Sequence, residues 1–208
     1  MNSKYVIFAG AHIDDYAWLG QQVNANDTII CADSGLRHAH AISVTPDIII
    51  GDFDSVDSAL LSSYEGQSKI IKDNDQNTTD LMKALSQCDH SSPVHIYGAV
   101  GARADHDFSN YLILMNMERP DNIEIITKTE TRRVIKNSFS FDGKTGDYIG
   151  LFPLSSIQDL SVDGLKYDPS VLGGPYEFGW NGACNEMITN TASVLFNKGC
   201  FLITHSQN

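Results

Sequence analysis

Two carboxylates directly follow an apolar stretch and carry the clearest chemical signal in the chain. Asp52 and Asp54 stand in the run G-D-F-D-S, immediately after the apolar residues 47–50. If strand geometry continues through this run, alternation places both carboxylates on the same side. They could then share one hard divalent cation, alone or together with a polyphosphate. The alternative is a solvated acidic turn.

A second group, Asp33-Ser34-Gly35, ends another apolar run and opens a predicted helix. Backbone N–H groups and the positive end of the helix dipole meet at such a point, and both suit a phosphate or a ribose. An Asp or Ser before a helix is equally typical of a simple N-cap. Both interpretations stay open at this point.

A third group opens the helix predicted over 79–87. Thr78 or Thr79 is the expected cap, and Asp80 lies in the first turn, where the helix dipole favours a carboxylate. Asp80 could also reach a cation held by the G-D-F-D-S run. Lys83, three residues later, could meet phosphate from the same face. A capped surface helix beside a solvated acidic loop is the alternative.

The fourth group follows a glycine-rich turn at residues 98–101 and precedes a predicted helix. Glycine lets the backbone approach a ligand closely. Arg103 supplies a planar cation suited to phosphate oxygens, and Asp105 could bind a metal, orient Arg103 or accept a proton. The alternative makes Asp105 a helix cap and Arg103 part of a surface ion pair.

Composition limits the function classes. The formal charge of -12, the pI near 4.7 and only 14 lysines and arginines argue against a nucleic-acid partner. A nucleotide ligand remains compatible, because carboxylate-held divalent ions reverse the local potential. The sequence G-x-x-x-x-G-K-[ST] is absent, which excludes ordinary P-loop chemistry. Histidines 12, 38, 95 and 106 show no ligand or triad spacing, so we interpret them as packing or surface residues.

The cysteines and the hydropathy indicate the compartment. Cys31, Cys88, Cys184 and Cys200 are widely spaced without a C-x-x-C pair, which favours a reducing cytoplasm over a disulfide framework or a zinc ribbon. The apolar run near the N-terminus is too short for an export signal, and no apolar run is long enough to span a membrane.

Strand and helix patterns alternate through residues 1–127. Short apolar runs predict buried parallel strands, at 5–10, 28–33, 46–51, 94–98 and 123–126. Apolar spacing predicts the helices between them, at 14–24, 36–42, 79–87 and 105–117. This order predicts a Rossmann-like, doubly wound parallel sheet with helices on both faces. All four polar groups would lie at the carboxyl edge of this sheet. Their carboxylates, arginine and glycine turns are suited to magnesium-assisted transfer of a phosphate-containing group from a nucleoside triphosphate.

The pattern changes after residue 127. Strand-like segments replace long helical ones, at 132–137, 138–141, 147–153, 157–162, 191–196 and 200–204. The sequence Asn197-Lys198-Gly199 predicts a hairpin joining the last two strands. Residues 128–208 are therefore expected to form a small all-β domain.

The ordered motifs resemble those of one enzyme family, thiamine pyrophosphokinase. They are A-D-S-G, P-D-x-I-I-G-D-F-D-S, D-Q-x-T-T-D-L-x-K-A-L, G-A-R-A-D-H-x-x-x-N, G-L-K-Y and C-N-E. The resemblance implies an N-terminal nucleotide domain, a C-terminal thiamine-binding β-sandwich, and a homodimer with active sites between subunits. It also implies Mg-ATP as donor and thiamine diphosphate plus AMP as products.

The resemblance carries roles to individual residues. Asp52, Asp54 and Asp80 would bind magnesium, and Asp105 would complete the site. The nucleotide or its phosphates would contact Asp33, Ser34, Gly35, Gln76, Thr79, Lys83 and Arg103. The thiamine hydroxyl would attack the β-phosphorus in line, and either Asp80 or Asp105 would accept its proton.

Two departures from the family pattern affect the substrate side. Ser34 stands where the family has the third residue of A-D-G-G, and Cys184 replaces the serine of S-N-E before Asn185. Trp180 or Tyr176 could stack on thiamine, whose thiazolium is a cation; core packing is the alternative for both. A pyrophosphokinase for another hydroxymethyl heterocycle, such as a pterin, and a non-catalytic nucleotide or thiamine sensor remain alternative functions.

Overall fold

A computed structural model describes residues 3–89, 91–101, 103–172 and 174–208; Ala102 of the predicted glycine-rich motif lies outside the described residues. The protein is a mixed α/β protein, and its chain divides into two compact units. The first unit contains Met1–Ile113 and Ile125–Lys128, and the second contains Leu114–Glu124 and Thr129–Asn208. The boundary expected between residues 127 and 128 stays a prediction.

The first unit contains a run of parallel strands: β1 (Tyr5–Phe8), β2 (Thr28–Ala32), β3 (Ile48–Gly51), β4 (Lys69–Lys72) and β5 (Val94–Tyr97). They lie in the order β5-β1-β2-β3-β4, and every pair of neighbours is parallel. The strand predictions for β1, β2, β3 and β5 are confirmed. Because the chain moves outward from β1 to β4 and then returns to the other side of β1, the order reverses beside β1. Ligands of open α/β sheets bind at such a reversal.

The helices are α1 (Tyr16–Gly20), α2 (Leu36–Ala41), α3 (Ser58–Ser62), α4 (Asp80–Leu85) and α5 (Ala104–Asn116). The prediction for α1 was too long at both ends, since Asp15 caps the helix by accepting the Trp18 N–H. The sequence did not predict α3, which Asp57 caps. Among the described residues, no helix is long and apolar enough to cross a bilayer.

The core of the first unit explains why the strand runs are apolar. Side chains of the strands pack against α1 and α2 and bury one cluster, formed by Val6, Phe8, Leu19, Ile29, Cys31, Leu36, Ala39, Ile49, Tyr64 and Tyr97. Burial of such side chains contributes about 1.5–3 kcal/mol each. The packed strands thereby hold the loops at their carboxyl ends in fixed positions.

After β6 (Ile123–Ile126), the remaining strands are β7 (Glu130–Ile135), β8 (Phe139–Asp142), β9 (Tyr148–Pro153), β10 (Ser161–Asp163), β11 (Gly182–Glu186), β12 (Thr191–Leu195) and β13 (Phe201–Ser206). In the second unit, antiparallel pairs join β11-β9-β13-β7, and β10-β12-β8 form a separate small antiparallel sheet. The strand-rich tail was predicted, whereas β11 was not. One buried cluster contains side chains of both groups of strands, including Ile149, Val194 and Phe201.

The predicted hairpin at residues 197–199 is wrong. The strands on either side of it do not pair, since β12 lies beside β8 and β10 whereas β13 lies between β7 and β9. The connection pairs instead with Gln158, which exchanges backbone hydrogen bonds with Asn197 and Lys198. Gly199, at φ 132°, is needed for close approach, because a Cβ there would lie 2.4 Å from Ile157 Cδ1.

Candidate active site

A cleft of about 380 Å³ lies in the first unit, a volume in the range of small-molecule sites. The loops that leave β1, β2 and β5 supply its walls, as the order reversal beside β1 predicts. Five of the predicted residues line it: Asp33, Ser34, Thr79, Asp80 and Arg103. Ala9, Gly10 and Ala11, which the sequence did not single out, also line it. So do Gly98, Ala99 and Asn110 of the glycine-rich segment and its helix, and His106, which was interpreted only as a packing or surface residue.

Asp33 is the most unusual group in the cleft. Its residue is only 7% exposed, and its Oδ1 atom is buried without a hydrogen-bond partner. Burial raises the pKa of Asp33, and the nearby charges of Asp80 and Asp52 raise it further. Its φ of 47° is left-handed, and Gly51 leaves room for it, because a Cβ on Gly51 would lie 3.0 Å from the Asp33 Cβ. The fold thus keeps the Oδ1 atom of Asp33 at the cleft without a hydrogen-bond donor.

The helix that follows Asp33 is not capped by it. The N-cap position of α2 is Gly35, and no side chain bonds there. Gly35 is required at this point, since a Cβ would lie 2.0 Å from the carbonyl oxygen of Phe8. The capping alternative for Asp33 and Ser34 therefore finds no support in the geometry.

The alternation argument for Asp52 and Asp54 was wrong. Strand β3 ends at Gly51, and Phe53 adopts a left-handed φ of 66°, so the pleat does not continue between the two acids. Asp52 instead accepts the Asp54 N–H at 3.1 Å and the Gln76 amide at 3.1 Å. The hydrogen bond from Asp54, followed by the one from Gln76, lowers the pKa of Asp52. Asp54 is exposed.

At the start of α4, Thr79 is the N-cap and accepts the Met82 N–H at 3.2 Å. Asp80 lies in the first turn and pairs with Lys83 at 3.3 Å. The ammonium of Lys83 is buried and also donates to the Asp73 carbonyl at 2.9 Å. A capped helix is therefore present, and its first turn also faces the cleft. Lys83 places a buried cation directly behind Asp80.

Arg103 and Asp105 form a two-pronged ion pair, with Nε–Oδ1 at 3.1 Å and Nη2–Oδ2 at 2.5 Å. Both side chains are exposed, and the pairing with Arg103 lowers the pKa of Asp105. The exposed ion pair is what the alternative predicted for Arg103, and of the roles left open for Asp105 it matches the orientation of Arg103. A carboxylate with both oxygens paired is a poor proton acceptor.

Small residues shape the remaining wall. A Cβ on Gly10 would lie 2.5 Å from the Ser34 hydroxyl oxygen, so this glycine makes room for the serine. Asn110 donates to the Ala99 carbonyl at 2.7 Å, and Asp107 accepts the N–H of Gly101. The missed signal for Gly10 was its position at the end of the first predicted strand, at the same edge as the acidic groups.

The residues expected to contact thiamine lie in the second unit. Asn185 is buried, and its amide donates to the Tyr167 carbonyl at 2.6 Å and accepts the Tyr167 N–H at 3.0 Å. It fixes a backbone segment in this geometry. Cys184 is exposed at φ 62°, where the register between β11 and β9 shifts. Such a bulge redirects side chains.

Trp180 is partly buried. It packs against the core of the second unit and meets Tyr176 edge-to-face at 5.4 Å. Gly182 admits the indole, since a Cβ would lie 2.4 Å from it. Tyr176 is buried and bonds the Pro169 carbonyl. Core packing therefore accounts for Tyr176, while Trp180 keeps a partly exposed ring.

The acidic residues around the cleft offer part of a site for a divalent ion. Among the described residues, no three His, Cys, Asp or Glu side chains already form a closed metal site. Magnesium, however, usually takes one or two carboxylates and completes its shell with substrate phosphates and water. The unpaired Oδ1 of Asp33, next to the charges of Asp80 and Asp52, is what such a partly built site requires. The residues fit the ion.

Together the fold and the cleft define the class: an α/β protein with an acid-containing cleft at the carboxyl ends of parallel strands. Comparison with known families narrows this class. The model of the thiamin pyrophosphokinase catalytic domain matches residues 19–127, and that of the thiamin pyrophosphokinase vitamin B1 binding domain matches residues 134–201. The chain belongs to the thiamin pyrophosphokinase family, which is a family of enzymes.

Individual proteins that resemble this chain carry the same family name. Thiamine pyrophosphokinase 2 of Arabidopsis thaliana is 30% identical over 146 residues, 60% of this chain and 52% of that protein; the chain spans about half the length of the curated relatives it matches. The structure of thiamine pyrophosphokinase from Bacillus subtilis has a TM-score of 0.82 at 23% identity and covers 100% of both chains. A thiamin pyrophosphokinase family protein from Enterococcus faecalis has a TM-score of 0.82 at 18% identity, covering 99% of each chain. At these identities, the structural likeness establishes the fold.

Proposed function

We propose that the protein is a thiamine diphosphokinase, which transfers a pyrophosphoryl group from ATP to the hydroxyl of thiamine and releases AMP. One observation carries the proposal beyond family membership: the buried, unpaired Asp33 oxygen in an acid-lined cleft with Arg103 at its wall. A buried carboxylate oxygen without a hydrogen-bond partner lowers the stability of the folded protein unless a bound ligand supplies that partner. A metal-bound polyphosphate supplies both the missing cation and the anion for Arg103.

The proposal assigns magnesium to Asp52, Asp54 and Asp80, with Asp33 facing the same region. A magnesium ion bound there would offset the charge on the phosphate oxygens. Thr79 lines the cleft, whereas Asp52, Asp54 and Gln76 do not, and Gln76 donates to Asp52.

The chain's own residues position the phosphates and the proton. Arg103, aligned by Asp105, offers its guanidinium to phosphate oxygens, and Lys83 adds a buried positive charge behind Asp80. The thiamine hydroxyl oxygen forms a bond to the β-phosphorus, and the bond from that phosphorus to the oxygen of AMP breaks with its electron pair. The hydroxyl proton passes to Asp80 or Asp105. Both oxygens of Asp105 are paired with Arg103, and Asp80 is paired with Lys83 and assigned to the ion, so the two acids stay alternatives for this step.

The finer organisation belongs to the same proposal. Residues 1–127 would act as a Rossmann-like nucleotide domain with helices on both faces, supported by the parallel pairing of β1 to β5. Residues 128–208 would act as a thiamine-binding and dimerisation β-sandwich, supported by the core shared between two groups of strands. Trp180 and Cys184 are the side chains proposed to contact thiamine, with Asn185 holding the strand that carries Cys184. A homodimer and a cytoplasmic location complete the proposal; the four free thiols support the latter.

The experiment is an assay of AMP formation with each component omitted in turn. We expect AMP to form only when ATP, thiamine and a divalent ion are all present. Formation of ADP would reject the proposal. Faster turnover of a hydroxymethylpterin than of thiamine would favour the alternative acceptor, and an absence of turnover would favour a sensor.

A matched pair of variants ties the activity to the acidic run. Asp54→Ala should lower turnover by about 100-fold, the effect of losing one charge-stabilising group. The control is Asp57→Ala, because Asp57 is a nearby acid that caps α3 through the N–H groups of Ala59 and Leu60. Its turnover should stay close to that of the wild type. Equal losses in both variants would contradict the assignment.

A further inference from the structure

A buried histidine lies directly behind the cleft. His38, on α2, is fully buried, and both ring nitrogens have partners: Nε2 lies 2.8 Å from the Ala11 carbonyl oxygen, and Nδ1 lies 2.9 Å from the Tyr16 hydroxyl. Because a carbonyl oxygen only accepts, Nε2 carries the hydrogen. In the neutral ring Nδ1 then accepts, and the Tyr16 hydroxyl donates. Burial lowers the pKa of His38 to about 4, so the ring is neutral near pH 7.

The Ala11 carbonyl belongs to the turn that forms one wall of the cleft. Gly10 and Ala11 both line it, and the Ala11 N–H donates to the Gly98 carbonyl at 2.6 Å. From the side of α2, the exposed Arg37 donates to the Gly10 carbonyl and the buried His38 donates to the Ala11 carbonyl. A hydrogen bond shielded from water resists competition better than an exposed one. His38 is therefore the stronger anchor of the two.

The atoms around this anchor are packed without spare room. A Cβ on Gly98 would lie 3.1 Å from the Ala11 oxygen, 3.2 Å from His38 Nε2 and 2.6 Å from the Ala9 oxygen. A displaced imidazole would consequently displace the Ala11 carbonyl and the glycine turn after β5 together. Both segments line the cleft.

Core filling alone does not account for a histidine here. Its ring lies against Phe8, a residue of the buried apolar cluster, and an apolar side chain would fill the same volume without the cost of burying an imidazole. We infer that His38 is a positioning residue for nucleotide binding, which it supports through its bond to the Ala11 carbonyl. This inference rests on the proposed function, since it takes the cleft as the ATP site.

The test measures the Kd of Mg-ATP by calorimetry, together with kcat and the KM values for ATP and thiamine. His38→Leu keeps a side chain of similar bulk but removes both hydrogen bonds. We expect its Kd and its KM for ATP to rise about tenfold, which corresponds to about 1.4 kcal/mol. The value of kcat should change less than about twofold. His38→Gln, whose amide can still donate to Ala11, should recover most of the affinity.

The same helix offers a matched control. His40 also pairs with a tyrosine, its Nδ1 lying 3.2 Å from the Tyr64 hydroxyl, but Tyr64 does not line the cleft, whereas the His38 partner Ala11 does. His40→Leu should leave the Kd of Mg-ATP unchanged. An unchanged Kd in His38→Leu, an equal rise in His40→Leu, or a failure of His38→Gln to recover affinity would each overturn the inference.

A second pair of variants decides the matter if His38→Leu does not fold. Tyr16→Phe leaves the imidazole in place but removes the hydroxyl that donates to Nδ1 and helps to hold the ring in position, so the Kd of Mg-ATP should rise about threefold, roughly 0.7 kcal/mol. Tyr64→Phe should not change it, and an equal Kd in the two variants overturns the inference. A wild type that binds Mg-ATP without forming AMP would defeat the proposed function alone. One that does not bind Mg-ATP would defeat both.

Discussion

Replacement of Asp33 by asparagine should make the ligand-free protein more stable and less active. The wild-type carboxylate is buried, lacks a partner at Oδ1, and faces the charges of Asp80 and Asp52. Asparagine tolerates the left-handed φ of 47° and removes the charge without changing the shape. The unsatisfied-group penalty is about 1–3 kcal/mol, and we take about 1 kcal/mol as the part due to charge. For a chain of this size, that raises Tm by about 2–4 °C.

The pH dependence of this gain follows from the raised pKa of Asp33. In the wild type the folded state favours the protonated acid, so the penalty is absent below the unfolded pKa and complete above the folded one. The stability advantage of Asp33→Asn should therefore be largest at neutral pH. It should shrink as the pH falls towards 4.

The same substitution, Asp33→Asn, should weaken the binding of Mg-ATP although it stabilises the ligand-free protein. At 100 times its Kd, Mg-ATP stabilises a protein by about 2.7 kcal/mol, and we expect Asp33→Asn to lose most of this shift at the same concentration. Turnover should fall by about 100-fold, the loss of roughly 3 kcal/mol of a charge-assisted contact. Differential scanning fluorimetry with and without Mg-ATP, together with the AMP assay, measures both effects.

Asp27 supplies the matched control. It is also buried, but it accepts hydrogen bonds from the Lys4 ammonium at 2.6 Å and from the Asn24 N–H at 2.8 Å. Burial alone would raise the pKa of Asp27, yet these hydrogen bonds outweigh it and the pKa is lowered. Asp27→Asn should therefore lower Tm and leave the Mg-ATP shift intact. If Asp33→Asn behaved in the same way, Asp33 would be a structural acid and the reasoning would be refuted.

Three further substitutions test the packing around the sites. Gly10→Ala should cost about 1 kcal/mol, because the Ser34 hydroxyl must leave its rotamer, and a double-mutant cycle should show that cost disappearing in a Ser34→Gly background. Asn185→Ala should lower the unfolding free energy by about 2–4 kcal/mol in chemical denaturation, since the N–H and carbonyl groups of Tyr167 would lose their hydrogen bonds to the Asn185 amide. Asp147→Asn should lower the unfolding free energy by about 1–3 kcal/mol at pH 7. Because hydrogen bonds hold the pKa of Asp147 low despite burial, the difference in Tm between wild type and variant should shrink in thermal melts as the pH falls below about 4.

Much of the first unit could be predicted because its strands are buried on both faces. Runs such as 28–32 and 48–50 contain β-branched residues, which parallel strands favour. Strand β4 was missed because Lys69 and Lys72 interrupt the apolar pattern, as they often do at the edge of a sheet. Helix α3 was missed because its five residues give too short a periodic signal.

Contacts between distant segments limited the prediction of the site. The position of Asp33 after a strand indicated that it lies at the cleft, but its unpaired oxygen depends on Gly51 and on how β3 ends. The motif also singled out Asn185 without showing that its amide binds Tyr167, 18 residues earlier in the chain. Similarly, the alternation argument for Asp52 required an unbroken strand, and the left-handed Phe53 breaks it.

The buried carboxylates show how the fold separates structural acids from a ligand-binding acid. Among the described residues, Asp27, Asp33 and Asp147 are the buried acids. Hydrogen bonds hold the pKa of Asp27 and of Asp147 low, so each stabilises the folded state at neutral pH. The pKa of Asp33 is raised instead, and one of its oxygens has no partner. Arg103 and Lys83 offset part of the acidic charge at the cleft, and a bound cation would offset more of it for a polyphosphate. The destabilised Asp33 is therefore the group that a metal-bound nucleotide would relieve.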